Sequence, residues 1–273
     1  MPARLPGVGR LTAELPPVVD AAWLEGHLAA ADLVAADVRG PNAHARGHIP
    51  GSIPLVLGSP SPANDAGTLR ALATEVALRL RRHGVTGHER LVLYDGGDCV
   101  GASASAQLAE LAGHPRVAVL AGGLAGWTGE TERGVIELEP VREQQLEPRL
   151  EAIPTREELR SRLDDPALAL VDVRRLDEYT GRGGSPCDPR QGHIPGARHV
   201  PVDQLLAGPG QPRDAAEIRA LVGAPEGAEL VTYCHSGSRS AVGTMALRSA
   251  GYRARNYVGS WHEWSRHAEL PVE

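Results

Sequence analysis

Leu230-Val231-Thr232-Tyr233-Cys234-His235-Ser236-Gly237-Ser238-Arg239-Ser240 is a short apolar run, then a cysteine, then small residues, then a helical pattern. Leu230 to Tyr233 suits a buried strand. Ser236, Gly237 and Ser238 turn tightly and leave backbone N–H groups free. Beyond Arg239, Ala241, Val242, Met245, Ala246 and Ser249 recur at helical spacing, and Gly251 stands where a helix ends. The cysteine is thus expected at a strand end, before a helix N-terminus. Free N–H groups and the helix dipole favour negative charge there. Such a place favours the thiolate, which is the nucleophilic form.

Outward from this loop the chain repeats itself. Leu168 to Arg174 answers Leu33 to Arg39, each ending in Asp-Val-Arg. Gly192-His193-Ile194-Pro195-Gly196 answers Gly47-His48-Ile49-Pro50-Gly51. Tyr233-Cys234 answers Tyr94-Asp95, Gly251 answers Gly113, and Trp264 answers Trp127. The two Gly-His-Ile-Pro-Gly blocks lie 145 residues apart, whereas the loops lie 139 apart. An insertion from Tyr179 to Gln191 explains the longer offset. This is a duplicated domain, not a short-period solenoid.

Within each copy, apolar strand candidates alternate with amphipathic helices such as Leu69 to His83, and a further helix is expected from Val18 to Leu33. That alternation predicts an α/β fold with mostly parallel sheets flanked by helices. Thr128 to Ala152 is rich in Glu, Gln, Arg and Pro and poor in apolar residues. The expected layout is a domain over 17–130, a linker over 131–152 and a second domain over 153–273.

The Cys-x-x-Gly-x-Arg-Ser loop, with the paired Asp-x-Arg and Gly-His-Ile-Pro-Gly blocks, resembles the rhodanese sulfurtransferase family. The resemblance implies two tandem rhodanese-like domains and sulfur transfer through a persulfide on Cys234. It implies a loop wrapped around the outer sulfur, which assigns His235, Ser236, Gly237, Ser238, Arg239 and Ser240 to the substrate. Tyrosine-phosphatase loops place their arginine one position later, at Ser240 here, so the spacing favours sulfur over phosphate. Arg174 matches an arginine of the family's substrate pocket and is assigned to the donor anion, against a structural ion pair at a strand end. Asp95 stands where the cysteine would be in the first copy. A carboxylate cannot carry a sulfane sulfur, so that copy is expected to be inactive and to shape the pocket of the other.

The remaining candidates have plainer readings. Cys99 lies four positions late in its loop and is read as a small buried residue. Cys187 either resolves an oxidised Cys234 or is an exposed loop thiol. His48, His193, Asp37 and Asp172 recur in both copies and are read as structural. Trp127, Trp261 and Trp264 are read as core or interdomain packing.

Composition sets the outer limits. The 273 residues carry a net charge of -6, which argues against nucleic acid and anionic membranes. No apolar run reaches the length of a membrane span, and Met1-Pro2-Ala3-Arg4 opens no signal core. The expected protein is a cytoplasmic monomer. Three scattered cysteines make no disulfide framework, and no Cys/His cluster has metal-site spacing, so no metal or cofactor is expected. Partners are a small anionic sulfur donor and a cyanide, thiol or protein acceptor. Ser236-Gly237 resembles mercaptopyruvate-type loops and Arg239 thiosulfate-type ones. With Arg as its only strong cation, the chain suits a doubly charged anion, so thiosulfate is expected and 3-mercaptopyruvate is the alternative. A non-catalytic persulfide carrier is the alternative of another class.

Overall fold

A computed structural model describes residues 15–58, 65–138 and 146–273. The strands are β1 (Val18–Val19), β2 (Leu33–Asp37), β3 (Ile53–Pro54), β4 (Arg90–Tyr94), β5 (Val117–Leu120), β6 (Leu168–Asp172), β7 (Arg198–His199), β8 (Leu206–Gly208), β9 (Gln211–Pro212), β10 (Glu229–Tyr233) and β11 (Arg253–Asn256). The α-helices are α1 (Ala21–Glu25), α2 (Pro41–Arg46), α3 (Ala66–Arg82), α4 (Val100–Leu111), α5 (Arg156–Ser161), α6 (Leu176–Tyr179), α7 (Ala215–Val222), α8 (Ser238–Ser249) and α9 (Ser260–Trp264). The first half forms a parallel sheet ordered β1-β5-β4-β2-β3. The second forms a parallel sheet ordered β11-β10-β6-β7. The second half also carries a separate two-stranded antiparallel hairpin, β8-β9. Of the expected linker, residues 139–145 lie outside the described residues.

The apolar runs read as strands are covered on both faces. In β4, Leu91 and Leu93 enter one apolar cluster while Val92 and Tyr94 enter the other. In β10, Leu230 faces one cluster and Val231 and Tyr233 the opposite one. Side chains alternate along a strand, so both sets must be apolar, and the run reads as continuous. β4 and β10 are interior strands and lead into equivalent loops at their C-terminal ends, before α4 and α8.

One expectation fails near the start. The helix foreseen from Val18 to Leu33 is instead strand β1 and a short helix α1. Val18 and Val19 complete the sheet edge opposite Val119 and Leu120. Asp20 then caps the helix, its carboxylate accepting the Trp23 N–H at 2.7 Å. Two β-branched residues before a cap favour the strand.

The two halves meet along α4 and α8. Asn256 Nδ2 donates to Gln107 Oε1 at 3.0 Å, and Arg248 pairs with Glu110 at 2.6 Å. Val242, Met245 and Val258 of the second half lie in the apolar cluster of the first, with Ala102, Leu108 and Leu111. Burying each such large side chain contributes about 1.5–3 kcal/mol. The β8-β9 hairpin also crosses over: the Gly210 carbonyl accepts the Gly122 N–H at 3.1 Å. Trp261 and Trp264 are fully buried, but within the second half's own cluster, not at the junction.

Candidate active site

Cys234 follows the last residue of β10 and is 1% exposed. Its sulfur accepts the Gly237 N–H at 3.2 Å and the Ser240 hydroxyl at 3.4 Å. Two donors aimed at one sulfur suit a thiolate or a persulfide anion. The loop is held from behind: the Ser260 hydroxyl accepts the Cys234 N–H at 3.2 Å. The Cys234 and His235 carbonyls accept the N–H groups of Trp261 and His262 at 3.0 and 2.9 Å. The Gly237 carbonyl accepts Asn256 Nδ2 at 2.9 Å. Gly237 itself has φ +88, and a Cβ there would meet the Val258 carbonyl oxygen at 2.8 Å. Only glycine takes that turn while keeping its N–H on the sulfur.

A cleft of about 220 Å³ opens over this loop. Ser236, Gly237 and Ser238 form one wall. The other comes from the first half and is largely apolar, with Val38, Val56, Leu57, Val100 and Ala104. The half without the nucleophile thus helps to build the pocket. A larger groove of about 800 Å³ lies elsewhere on the junction, among Arg149, Glu158, Arg253 and Arg255, and presents no nucleophile. Chemistry rather than size identifies the site.

Arg239 stands beside this loop, but its charge is shared. Its guanidinium donates to both carboxylate oxygens of Glu178, at 2.7 and 2.8 Å. Burial alone would raise the Glu178 carboxyl, but the Arg239 fork and the Arg175 N–H outweigh it and hold it below the ordinary range. Glu178 was not foreseen as a site residue. It sits 61 positions from Arg239, in α6, and no spacing rule joins the two.

The contacts of Arg174 favour a structural ion pair over a donor-anion clamp. Its side chain is 1% exposed and pairs with Asp172 at 2.6 Å. Nη2 also donates to the Gly192 carbonyl at 2.7 Å. The first half repeats this unit: Arg39 pairs with Asp37 at 2.6 Å and donates to the Gly47 carbonyl at 2.7 Å. A device present in both halves, one of them without a nucleophile, ties the Asp-x-Arg strand end to the Gly-His-Ile-Pro-Gly turn. Tyr233 and Tyr94 brace the same turns, their hydroxyls accepting the N–H groups of Ile194 and Ile49 at 3.1 Å. His48 and His193 bond backbone carbonyls at 2.8 and 3.0 Å, as structural turn residues do.

Asp95 has taken over the role of loop glue. Its Oδ1 accepts the N–H groups of Gly97 and Cys99 at 2.9 and 3.1 Å, and its Oδ2 accepts that of Ala102 at 3.1 Å. Cys99 is buried beneath it, and burial with the Asp95 charge pushes its thiol up to about 12. We expect Asp95→Cys to destabilise the protein by about 2–4 kcal/mol, because a buried charge-assisted acceptor is lost. It creates no second transfer centre. Sulfur transfer by a Cys234→Ser/Asp95→Cys double variant, assayed beside Cys234→Ser, would disprove this.

Cys187 is exposed in the insertion, as one reading had it. The fold places it beside the catalytic loop nonetheless: its sulfur lies 4.0 Å from His235 Nε2 and 3.8 Å from His262 Nδ1. Asp188 joins them, 3.1 Å from each ring. No spacing in the sequence announced this group.

The rhodanese-like domain model matches residues 20–130 and again 155–267. A thiosulfate sulfurtransferase of Pseudomonas aeruginosa is 31% identical over 277 residues, covering 95% of this chain and 98% of its own. A 3-mercaptopyruvate sulfurtransferase of Escherichia coli K12 is 27% identical over 274 residues, covering 93% of this chain and 97% of its own. A crystal structure of a probable thiosulfate sulfurtransferase, 32% identical, superposes with a TM-score of 0.68 over 89% of this chain and 98% of its own. Among the described residues no helix is long and apolar enough to cross a membrane. Two copies of one matched domain, a cysteine loop in the second, and relatives aligned over almost their whole length place this chain in the rhodanese-like family, as a tandem-domain sulfurtransferase.

Proposed function

We propose that the chain moves the outer sulfur of thiosulfate to a cyanide, thiol or protein acceptor through a persulfide on Cys234, as a cytoplasmic monomer. The observation that carries the reading is the sulfur of Cys234 held by the Gly237 N–H and the Ser240 hydroxyl. In the first step the thiolate attacks the outer sulfur of the donor. The donor's S–S bond breaks, its electron pair leaves with sulfite, and a Cys–S–S⁻ anion remains in the loop. The N–H and hydroxyl donors then face the terminal charge. In the second step the acceptor attacks that terminal sulfur and the Cys234 thiolate is released. Two steps through a covalent intermediate give ping-pong kinetics. Thiosulfate as donor is supported by the named activity of the Pseudomonas aeruginosa relative.

One observation favours the second donor. The Glu178 carboxylate neutralises Arg239, and the cleft wall from the first half is largely apolar. A singly charged donor such as 3-mercaptopyruvate suits that balance better than a dianion. Thiocyanate formation from each donor, measured side by side, separates the two. A higher kcat/KM for mercaptopyruvate moves the assignment to that donor. Sulfur loading without turnover on either makes the chain a carrier. Glu178→Gln releases the Arg239 charge and is expected to lower KM for thiosulfate roughly threefold to fivefold, the worth of about 0.6–1 kcal/mol. An unchanged KM would mean that Arg239 does not meet the donor.

A further inference from the structure

Cys187, Asp188, His235 and His262 take no part in the two transfer steps, although His235 belongs to the loop assigned to the substrate. One donor atom from each residue lies within 4.8 Å of every other. The structure assigns these four residues to a metal site, and we propose that it binds a zinc-class divalent ion. A tetrahedral ion with bonds of about 2.3 Å to sulfur and about 2.0–2.1 Å to nitrogen and oxygen needs ligand edges of about 3.3–3.6 Å. The edges here bracket that range. His235 Nε2 lies 3.1 Å from Asp188 Oδ2, and the sulfur lies 4.0 and 3.8 Å from the two imidazoles. No donor atom lies more than 4.8 Å from another, so side-chain movements of about 1 Å or less close the site.

A second observation is independent of the spacing. Asp188 Oδ2 is buried and has no hydrogen-bond partner among the described residues. His235 Nε2 is near it, but not in hydrogen-bonding alignment. A buried carboxylate oxygen that has the His235 ring 3.1 Å away but no hydrogen bond is costly unless a cation meets it. The other oxygen, Oδ1, is already occupied by His262 Nδ1 and Arg266 Nη1, each at 3.1 Å. Arg266 also donates to the His262 and Cys187 carbonyls, so it orients three ligand residues from the outside. Its charge opposes a cation. A thiolate and a carboxylate supply two negative charges to balance the ion, and Arg266 stays paired to Oδ1.

The site is rigid where it needs to be. Two residues beyond Asp188, Arg190 donates to the carbonyls of Trp264, Ser265, His267 and Leu270 at 2.6–2.9 Å. That clamp fixes the insertion against α9, which carries His262. Cys187 is exposed, so an ion has a path in. The mixed sulfur, nitrogen and oxygen set suits zinc rather than magnesium or calcium. On binding, the thiol proton of Cys187 passes to solvent and His262 exchanges its hydrogen bond to Asp188 for the ion. Because His235 follows Cys234 directly, the ion would sit against the catalytic loop.

Direct binding tests this apart from sulfur transfer, using cobalt(II) as a spectroscopic stand-in and zinc(II) as competitor. The full chain is expected to give a tetrahedral, thiolate-ligated cobalt spectrum at one ion per chain. Cys234→Ser should give the same spectrum. Cys187→Ser and His262→Ala should each weaken zinc binding by at least about 100-fold, more than the loss of an outer partner does. Zinc should raise the Tm of the wild type and leave that of Cys187→Ser unmoved. A spectrum lost in Cys234→Ser but kept in Cys187→Ser would put the ion on the nucleophile and overturn the proposal. So would the absence of both spectrum and Tm shift in the wild type.

Discussion

Cys234→Ser is expected to lower sulfur transfer by at least about 10³-fold, because a covalent step cannot proceed without its nucleophile. Serine is close to cysteine in size, and the site already holds the Ser240 hydroxyl beside the sulfur. The variant should therefore fold, with a Tm close to that of the wild type. Cys99 and Cys187 remain in it as internal controls. Cys99 is buried, its thiol pushed up to about 12, and its sulfur donates to the Leu120 and Gly210 carbonyls at 3.3 and 3.4 Å. Incubated with donor alone, the wild type should gain the mass of one sulfur atom and the variant none. Transfer that survives in Cys234→Ser would remove the nucleophile from Cys234 and leave the exposed Cys187 to be tested next.

Arg174→Met is expected to destabilise the protein by about 3–5 kcal/mol, because it leaves Asp172 charged, buried and without its partner. Arg174 is among the largest fully buried side chains, and its guanidinium lies 4.8 Å from the Trp261 ring centre. Asp172 is 0% exposed. The double variant Asp172→Asn/Arg174→Met should lose less than the two single effects added together, since it leaves no orphaned charge. Arg39→Met in the first half should cost less, because Arg39 is 20% exposed and water replaces part of what it provides. Denaturant midpoints measure all four variants. Near-native stability of Arg174→Met combined with a raised donor KM would restore the substrate role that the burial argues against.

Much of the architecture was legible along the chain because its signals are local. The strands end where Leu33 to Asp37 and Leu168 to Asp172 give way to charge, and Gly113 and Gly251 mark the turns after α4 and α8. The duplication showed through exact repeats, and the place of Cys234 followed from strand, turn and helix in one short run. The failed helix at Val18 shows the limit even there, since pairing with β5 was what made Val18 and Val19 a strand.

The roles of charged side chains lay beyond that reach. Arg239 stands in the loop and Arg174 at the end of a distant strand, and the resemblance assigned both to the substrate. Folding buried one against Asp172 and paired the other with Glu178 from a different helix. Cys187, Asp188, His235 and His262 span 75 positions and share no spacing rule. They meet because α9 and the insertion pack against the same loop. Backbone propensity and apolar period act over a few residues and can be read in order along the chain. An ion pair or a metal site depends on which distant atoms come within about 4 Å, and that distance is set by how the whole chain packs.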